Sequence, residues 1–373
     1  MFQQNVAAQV EAREAPLELC VVIPTLNEAG NIEPLLEKLG IALAGIEWEA
    51  IFVDDGSTDG TPELLTQIAR TDRRVRMIRR IGRRGLSSAV VEGALASTTP
   101  VIAVIDADLQ HDERILPDLY RAVAGGQELA IGTRYAGSGS TGDWDDSRLR
   151  ISRFATALAA PIMKTRLSDP MSGLFAVRRD VLLEAAPRLS NVGYKILLDL
   201  VASSPRPLKL AEVGYTFGTR QSGESKLDEM VALEYVELLL DKTIGRFIPV
   251  KLVQFGAIGM LGVGVHLALL YATLIGGAAF AAAQATAVIG AMTFNFALNN
   301  RFTYRDRQLK GVSALAGFSL FCIIGGIGAF ATVGFAAWLY SNEPIWWVAG
   351  AAGAVMSVFW NYSMSSLFVW RTR

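Results

Sequence analysis

The stretch VIAVIDADLQHDE, residues 101–113, joins a run of apolar residues directly to a cluster of acidic ones. The apolar run predicts a buried strand, with Asp106 and Asp108 at its carboxyl end. Two carboxylates this close repel each other unless a positive group lies between them. Together with the amide of Gln110, they offer the all-oxygen ligands that Mg²⁺ or Mn²⁺ prefers. The stretch therefore predicts a central strand that ends in a divalent metal site. His111 could be a fourth ligand, but a single histidine beside oxygen ligands is more often a hydrogen-bonding loop residue.

Similar strand patterns flank this stretch, and amphipathic helix patterns separate them. The alternation predicts crossover units and a mainly parallel sheet, which is an α/β fold. Ligands of such sheets bind beyond the carboxyl ends of the strands. The polar sequences at 24–28, 54–61 and 106–113 all follow predicted strands, which favours one shared site. The strands are predicted at 17–25, 47–55, 75–80, 101–108 and 128–135, and the helices at 31–45, 61–71, 85–98 and 113–126.

Charged residues are concentrated in residues 1–247, and long apolar runs follow Pro249. With 373 residues and a formal net charge of −1, the chain is long enough for two domains and has no basic excess that would attract nucleic acid. Cys20 and Cys322 have no metal-binding neighbours, which is typical of small buried residues in a reducing compartment. Residues 1–16 lack a signal-peptide pattern and are expected to be disordered, so we expect the first domain in the cytoplasm.

Four apolar stretches follow, each close to the length of about 20 residues that a helix needs to cross a bilayer. They predict a transmembrane domain at 249–373, entered through an amphipathic segment at 227–248. That segment suits a helix lying on the membrane surface or, alternatively, a helix packed on the soluble domain. The spans are predicted at about 250–274, 278–300, 312–340 and 345–369.

Basic residues are distributed unevenly among the joints between these stretches. The first and third joints contain no Lys or Arg, whereas the entry, the middle joint and the C-terminal tail are basic. Cytoplasmic loops of membrane proteins carry the excess of Lys and Arg. The pattern therefore predicts a multi-pass protein of the inner cell membrane, with the soluble domain and the C-terminus in the cytoplasm.

The membrane half also contains an internal repeat. The sequence NFALNNRFTYR begins at Asn295 and NYSMSSLFVWR begins at Asn361, with the same offset placing Phe255 on Phe321. This offset predicts two tandem helical hairpins. The two asparagines are interpreted either as polar contacts between packed helices or as contacts to a lipid headgroup.

Eight motifs of the soluble half occur in an order that resembles the family 2 glycosyltransferases of GT-A fold. More narrowly, the half resembles the dolichol-phosphate or polyprenyl-phosphate mannose synthases and their glucosyl relatives. The resemblance implies a catalytic domain at 17–226, and the membrane half resembles the GtrA-like four-helix family. The motifs are VVIPTLNEAGNI, FVDDGSTDGT, RRGLSSAVVEGAL, DADLQHDE, GTRY, W…R…S, DPMSG and YTFGTRQSGESKL.

The resemblance implies which residues bind the donor nucleotide. The first loop and the end of the second strand would line it, through Pro24, Leu26, Glu28, Val53 and Asp55. A carboxylate such as that of Asp55 accepts hydrogen bonds from a nucleobase or a ribose. Leu26 stands where relatives often have tyrosine, a difference expected to affect base stacking.

The same resemblance places the donor diphosphate and a metal, Mg²⁺ or Mn²⁺, against Asp106, Ala107, Asp108 and Gln110. It also implies that a set of basic and hydroxyl side chains binds phosphate. Arg134, Arg148 and Ser152 would face the acceptor phosphate, joined by Arg220 and Lys226, which would also contact the donor.

The implied reaction transfers a hexose, mannose from GDP-mannose in the first instance, to a polyprenyl monophosphate of the dolichyl type. The second pKa of a phosphate monoester is about 6, so the acceptor is ionised at neutral pH and needs no general base. Direct attack inverts the anomeric centre and gives a β-linked lipid product. The acceptor tail lies in the lipid bilayer, which explains the membrane half, and a homo-oligomer is compatible with it.

Three alternatives differ in the features they require. Glucosyl transfer from UDP-glucose shares the motifs at 106–113 and 169–173, so these motifs leave the donor sugar open. A processive polysaccharide synthase would carry a Q-x-x-R-W motif before its membrane helices, and the sequence has none. A lipid-linked sugar flippase or scaffold would not need the intact Asp106, Asp108 and Gln110.

Overall fold

The computed structural model describes residues 16–371 apart from 83–84, 136, 138, 141, 143–145, 191–192, 219–228, 246 and 343–345. The chain divides into two compact units, Met1–Thr243 and Ile244–Arg373. A seven-stranded sheet forms the centre of the first unit, and the described part of the second unit is helical. The α/β domain followed by a helical region agrees with the predicted fold class.

The sheet has the strand order β3-β2-β1-β4-β6-β5-β7, and all strands except β6 run parallel. Its strands are β1 Leu19–Thr25, β2 Trp48–Asp54, β3 Val75–Arg79, β4 Val101–Val104, β5 Leu129–Thr133, β6 Phe175–Arg178 and β7 Leu210–Gly214. The helices of this unit are α1 Ala29–Ala42, α2 Thr61–Thr71, α3 Leu86–Ala96, α4 Leu116–Ala124, α5 Asp146–Ala159, α6 Arg179–Ala185, α7 Ile196–Ser203 and α8 Glu229–Thr243.

Each face of the sheet has its own core because side chains alternate along a strand. On β1, Val21 and Ile23 pack in the cluster that includes Leu35 of α1. Cys20 and Val22 of the same strand point to the other face, in a cluster that includes α3 and α7. The sheet is therefore covered on both sides by apolar side chains.

The antiparallel strand β6 was not predicted from the sequence. It pairs with β4 on one side, Val104 opposite Phe175, and with β5 on the other. Because β6 runs in the opposite direction, its beginning lies at the edge where β4 ends. The loop DPMSG, residues 169–173, is thereby brought beside Asp106. The strand predicted at 101–108 ends earlier, at Val104, and Leu109 in the turn that follows adopts φ 59°.

Helix α8 packs on the first unit. Leu238 is 1% exposed and lies in a cluster with Ala159 and Leu198. The ammonium group of Lys242 is 2.7 Å from the carboxylate of Asp199, whose side chain is fully buried, while the side chain of Lys242 is 9% exposed. The packed-helix alternative is therefore correct for this face of the segment. The membrane-surface interpretation of residues 227–248 stays a prediction for the opposite face.

Four long helices form the second unit, close to the positions predicted for the spans. They are α9 Val250–Ile275, α10 Phe280–Leu298, α11 Val312–Asn342 and α12 Trp346–Met364. Within the described residues, the three segments Val250–Ile275, Phe280–Thr303 and Val312–Leu339 are long and apolar enough to cross a membrane. Helix α12 has 19 residues, close to the length of about 20 that a span requires.

The hairpin of α9 and α10 and the hairpin of α11 and α12 make equivalent contacts, at positions related by the offset of the sequence repeat. A π-helical turn follows α10 at Asn299–Thr303 and another follows α12 at Ser365–Val369. Tyr304 and Trp370, which occupy equivalent positions, stack with their ring centroids 4.2 Å apart. Phe255 packs on Tyr362, and their counterparts Phe321 and Phe296 pack on each other. These paired contacts show two similar hairpins facing each other across a pseudo-two-fold axis.

Each hairpin contains one asparagine against one glycine. A Cβ atom at Gly262 would overlap the side chain of Asn295, and a Cβ atom at Gly328 would lie 2.9 Å from Oδ1 of Asn361. The two asparagines therefore lie at contacts between packed helices. Small residues such as glycine allow two helices to approach closely in a membrane.

We expect Gly262→Ala and Gly328→Ala each to lower the free energy of unfolding by about 1–3 kcal/mol, because the added methyl group overpacks the hairpin. Thermal unfolding of the full chain in detergent measures the loss. Gly259→Ala is the matched control, since no atom lies within 4 Å of the Cβ it would add. Equal stability of all three variants would show that the close approach is not required.

Candidate active site

Two loops at the carboxyl ends of β1 and β2 are hydrogen-bonded to each other. The amide N–H of Asn27 donates to Oγ of Ser57 over 2.8 Å, and the N–H of Thr58 donates to Oδ1 of Asn27 over 2.9 Å. The carboxylate of Asp54 accepts from the N–H groups of Gly56 and Ser57. Asp54 and Ser57 therefore shape the turn, and the first two predicted loops do share one edge.

The residues predicted to line the nucleotide lie in these loops with unequal access. Pro24 and Val53 are partners in the β1–β2 register, but the side chain of Val53 is fully buried in the core. Only the backbone of Val53 faces the edge. Leu26 is partly exposed, and Glu28 accepts a hydrogen bond from Nδ2 of Asn31 over 2.7 Å.

Asp55 is held by an internal ion pair that the sequence did not reveal. Nη1 of Arg80 donates to its Oδ1 over 2.6 Å, and the N–H of Gly85 donates to its Oδ2 over 2.7 Å. Burial raises the pKa of the Asp55 carboxyl, while the Gly85 N–H and Arg80 oppose that rise. The short distance to a guanidinium favours the ionised form. The nucleotide-binding role of Asp55 stays a prediction and would have to act through its remaining lone pairs.

Asp106, Asp108 and Gln110 lie together in the turn after β4. The side chain of Asp106 is 32% exposed, and Asp108 and Gln110 are also partly exposed. The N–H of Gln110 donates to Oδ1 of Asp108 over 3.1 Å. Nε2 of Gln110 donates to the carbonyl of Gly218 over 3.2 Å, which ties the turn to the segment after β7. Ala107 is buried, so it contributes backbone only.

His111 is buried behind Asp106. Its Nε2 lies 3.2 Å from Oδ2 of Asp106, and its Nδ1 lies 2.8 Å from the hydroxyl of Tyr215. Burial raises the pKa of the Tyr215 phenol, so this group is protonated. The ring of His111 also meets Phe217 edge to face, with ring centroids 5.3 Å apart. The prediction that His111 is a hydrogen-bonded loop residue is confirmed.

Gly173 closes the other side of Asp106. A Cβ atom at this position would lie 2.6 Å from Oδ2 of Asp106 and 3.0 Å from Nε2 of His111. The motif DPMSG therefore ends in glycine at a place where any side chain would displace the carboxylate of Asp106, which is predicted to bind the metal.

We expect Gly173→Ala to lower sugar transfer about 100-fold, because displacement of a reacting group by about 1 Å has that order of effect. Transfer of label to lipid by the full chain in detergent measures it. Gly40→Ala is the control, since the nearest atom to its added Cβ is 4.0 Å away. Normal activity of Gly173→Ala would show that Asp106 tolerates displacement.

Arg134 forms a bidentate ion pair with Asp169. Nε donates to Oδ2 over 2.6 Å and Nη2 donates to Oδ1 over 2.7 Å, with the side chains 6% and 0% exposed. Its guanidinium also lies 5.3 Å from the ring centroid of Phe217. Arg134 thus joins the motifs GTRY and DPMSG. Its predicted contact with the acceptor phosphate stays a prediction.

Ser152 of α5 is connected to the same region. Its hydroxyl lies 2.8 Å from that of Tyr135, the neighbour of Arg134. Arg148 is on the same helix, but its side chain lies outside the described part of the structure. Arg220 and Lys226 fall within 219–228 and also lie outside the described residues. The structure therefore brings Ser152 and Arg134 together and gives no position for the other three side chains.

Helix α5 has an exposed apolar row. Ile151, Phe154 and Leu158 are spaced three and four residues apart, so they share one side of the helix. Their exposed fractions are 67%, 66% and 46%. Arg150 and Arg153 are exposed beside this row. An apolar row with flanking basic residues is typical of helices that lie on a bilayer surface.

The oxygen ligands fit a divalent cation that also binds a substrate. Among the described residues, no group of three or more His, Cys, Asp or Glu side chains is placed to hold a metal. Mg²⁺ usually takes one or two carboxylates, with the phosphates of the substrate completing its coordination. The partly exposed Asp106 and Asp108 meet that requirement, with Gln110 beside them.

Comparison with known families agrees with this geometry. Residues 20–184 match the model of glycosyl transferase family 2, and residues 254–370 match the GtrA/DPMS transmembrane domain. The protein is therefore a membrane-bound glycosyltransferase of GT-A fold.

Within that class, the chain belongs to the family of the dolichol-phosphate mannosyltransferases. It is 32% identical to the dolichol-phosphate mannosyltransferase of Pyrococcus furiosus over 363 residues, which cover 95% of this chain and all of the relative. It is 37% identical to that of Saccharomyces cerevisiae over 248 residues, or 64% of this chain and 92% of the relative. The solved structure of glucosyl-3-phosphoglycerate synthase from Mycobacterium tuberculosis is similar at 23% identity, with a TM-score of 0.45 over 63% of this chain and 83% of that one.

Proposed function

We propose that the protein transfers mannose from GDP-mannose to a polyprenyl monophosphate and forms a polyprenyl-phosphate β-mannose. The observation that carries this proposal is the set Asp106, Asp108 and Gln110 at the carboxyl edge of a GT-A sheet, in a chain that also has membrane spans. The relatives named dolichol-phosphate mannosyltransferase support the sugar and the lipid, since one is aligned over 95% of this chain.

The donor would bind across the ends of β1, β2 and β4. Pro24, Leu26, Glu28 and Asp55 would line the nucleoside. Asp106, Asp108 and Gln110 would hold Mg²⁺ or Mn²⁺ against the diphosphate, with the backbone of Val53 and Ala107 nearby. When bound, such a cation stabilises the negative charge that develops on the departing nucleoside diphosphate.

The acceptor phosphate has to be positioned near the donor, but it does not have to be deprotonated by the protein. It is already ionised at neutral pH, since its second pKa is about 6. An anionic nucleophile must instead be brought close to an anionic donor, which basic side chains achieve by pairing with phosphate oxygens. Arg148, Arg220 and Lys226 would do this, with Ser152 and Arg134 positioned beside them. In-line attack by a phosphate oxygen breaks the bond between the anomeric carbon and the nucleotide, and inverts that carbon.

The membrane half supports a lipid as the acceptor. A polyprenyl tail stays in the bilayer, so only its phosphate has to reach the sheet edge. The exposed row Ile151, Phe154 and Leu158 is on the helix that also carries Ser152 and Arg148, so contact of this row with lipid would place both residues at headgroup depth. The basic joint between α10 and α11 supports a cytoplasmic active site in the inner membrane.

The test uses the full chain purified into nanodiscs with polyprenyl phosphate and Mn²⁺. Radiolabelled GDP-mannose and UDP-glucose are supplied in separate reactions, and label in the organic phase is counted. The proposal expects transfer from GDP-mannose only. Transfer from UDP-glucose alone would replace mannose by glucose, and the absence of transfer from either donor would refute the proposed reaction.

A further inference from the structure

We propose that His111 is a positioning residue that fixes the orientation of the metal-binding carboxylate of Asp106, and that Tyr215 sets the hydrogen-bonding state of His111. This inference rests on the proposed function only for the identity of the metal site. It concerns two residues, 104 positions apart in sequence, whose side chains are joined by the hydrogen bond between His111 Nδ1 and the Tyr215 hydroxyl.

The direction of the hydrogen bonds follows from chemistry. An ionised carboxylate only accepts, so Nε2 of His111 carries the hydrogen that points to Asp106. In the tautomer with its hydrogen on Nε2, Nδ1 is an acceptor, and the Tyr215 hydroxyl donates to it. The chain Tyr215 to His111 to Asp106 therefore has one defined direction, and the imidazole is held as one tautomer.

Packing leaves this chain little freedom. The side chain of His111 is 5% exposed, and Tyr215 is 3% exposed. The rings of Tyr215 and Phe217 both contact the imidazole, and the backbone of Gly173 lies against the bond to Asp106. The side chain of Asp106, in contrast, is 32% exposed. Its carboxylate therefore contacts His111 on its buried side and is accessible to solvent on the other side.

The same contacts connect the turn after β4, which carries Asp106, Asp108 and Gln110, to the segment after β7. That segment leads in sequence to Arg220 and Lys226, which are predicted to bind phosphate. The N–H of Gly218 donates to the carbonyl of Gln110, the neighbour of His111 in sequence, over 2.8 Å. Arg134 lies over the ring of Phe217. The side chain of His111 therefore helps to join the loop after β4 to the end of β7, together with the side chain of Gln110.

The role predicts a loss of metal affinity. Residues that hydrogen-bond to a metal ligand typically contribute 10-fold to 100-fold to affinity or activity. We expect His111→Ala to raise the Kd for Mn²⁺ by that factor in the presence of GDP. His111→Gln restores a donor near the position of Nε2 and should recover most of the affinity. Tyr215→Phe keeps the ring but removes the hydroxyl, so its effect should be smaller than that of His111→Ala.

Electron paramagnetic resonance of free Mn²⁺ measures Kd for the full chain in detergent. His266→Ala is the matched control, because His266 is the only other histidine and lies in α9. An unchanged Kd in His111→Ala, with or without a lower melting temperature, would overturn the proposal by reducing His111 to a packing residue. Equal loss in His111→Ala and His111→Gln would also contradict it. If the wild type binds Mn²⁺ but transfers no mannose, the proposed function fails while this inference is still decided by Kd.

Discussion

Replacement of Asp108 by alanine is expected to lower sugar transfer about 1,000-fold. The carboxylate is one of two that would hold the cation against the donor diphosphate, and the loss of charge stabilisation at the leaving group is worth about 4 kcal/mol, or three powers of ten in rate. Transfer of labelled mannose to lipid by the full chain measures the rate, and removal of the cation with EDTA should have an effect at least as large. Binding of Mn²⁺ in the presence of GDP should weaken in parallel.

Asp118→Asn is the control for this prediction. Asp118 is on α4, 56% exposed, and paired only at the surface with Arg121 among the contacts described. Its replacement should leave transfer within a factor of two. Activity of Asp108→Ala within tenfold of the wild type, or activity that survives EDTA, would show that the cation is not needed.

The second large effect is expected at the buried pair of Arg134 and Asp169. Asp169→Ala removes the carboxylate that pairs with a buried guanidinium, and breaking such a buried pair destabilises a protein by about 3–5 kcal/mol. Each kcal/mol lowers Tm by about 2–4 °C in a domain of this size, so Tm should fall by about 6–20 °C. Arg134→Met should have a similar effect, because it removes the guanidinium that pairs with the buried carboxylate of Asp169. Thermal unfolding of the full chain in detergent follows both.

The double variant Arg134→Met/Asp169→Leu separates stability from function. Replacement of both charges by apolar groups removes the unpaired charge, so the double variant should be more stable than either single one. Recovered stability without recovered transfer would support a contact between Arg134 and the acceptor phosphate. Removal of the exposed Asp118–Arg121 pair is the control and should change stability by at most about 1 kcal/mol. Additive losses at Arg134 and Asp169 would show that the pair is not coupled.

Much of the fold could be predicted from the sequence because local patterns determine it. Five strands, four helices of the first unit and the positions of the membrane helices follow from periodicity and apolar length. The antiparallel direction of β6 could not be predicted, since four residues at Phe175–Arg178 have the same pattern in either direction. Periodicity identifies strands but does not determine their partners.

The candidate site could likewise be predicted only in part from the sequence. Asp106, Asp108 and Gln110 are neighbours in sequence, so their shared chemistry was visible there. The partner of Arg134 was not, because Asp169 is 35 residues away and reaches it only through the reversed strand. The motif DPMSG carries the one available signal, since its aspartate pairs with Arg134 and its glycine lies against Asp106. Arg80 gave no signal, since it is one of several arginines between 70 and 84.

The pseudo-two-fold axis gives the membrane unit the construction of a symmetric dimer within one chain. Phe255 meets Tyr362 as Phe321 meets Phe296, so each hairpin presents both sides of the same interface. A surface that is complementary to itself is the property that defines a symmetric homodimer. Because the two hairpins are joined in one chain, equivalent positions can carry different residues, as the stacked pair Tyr304 and Trp370 shows.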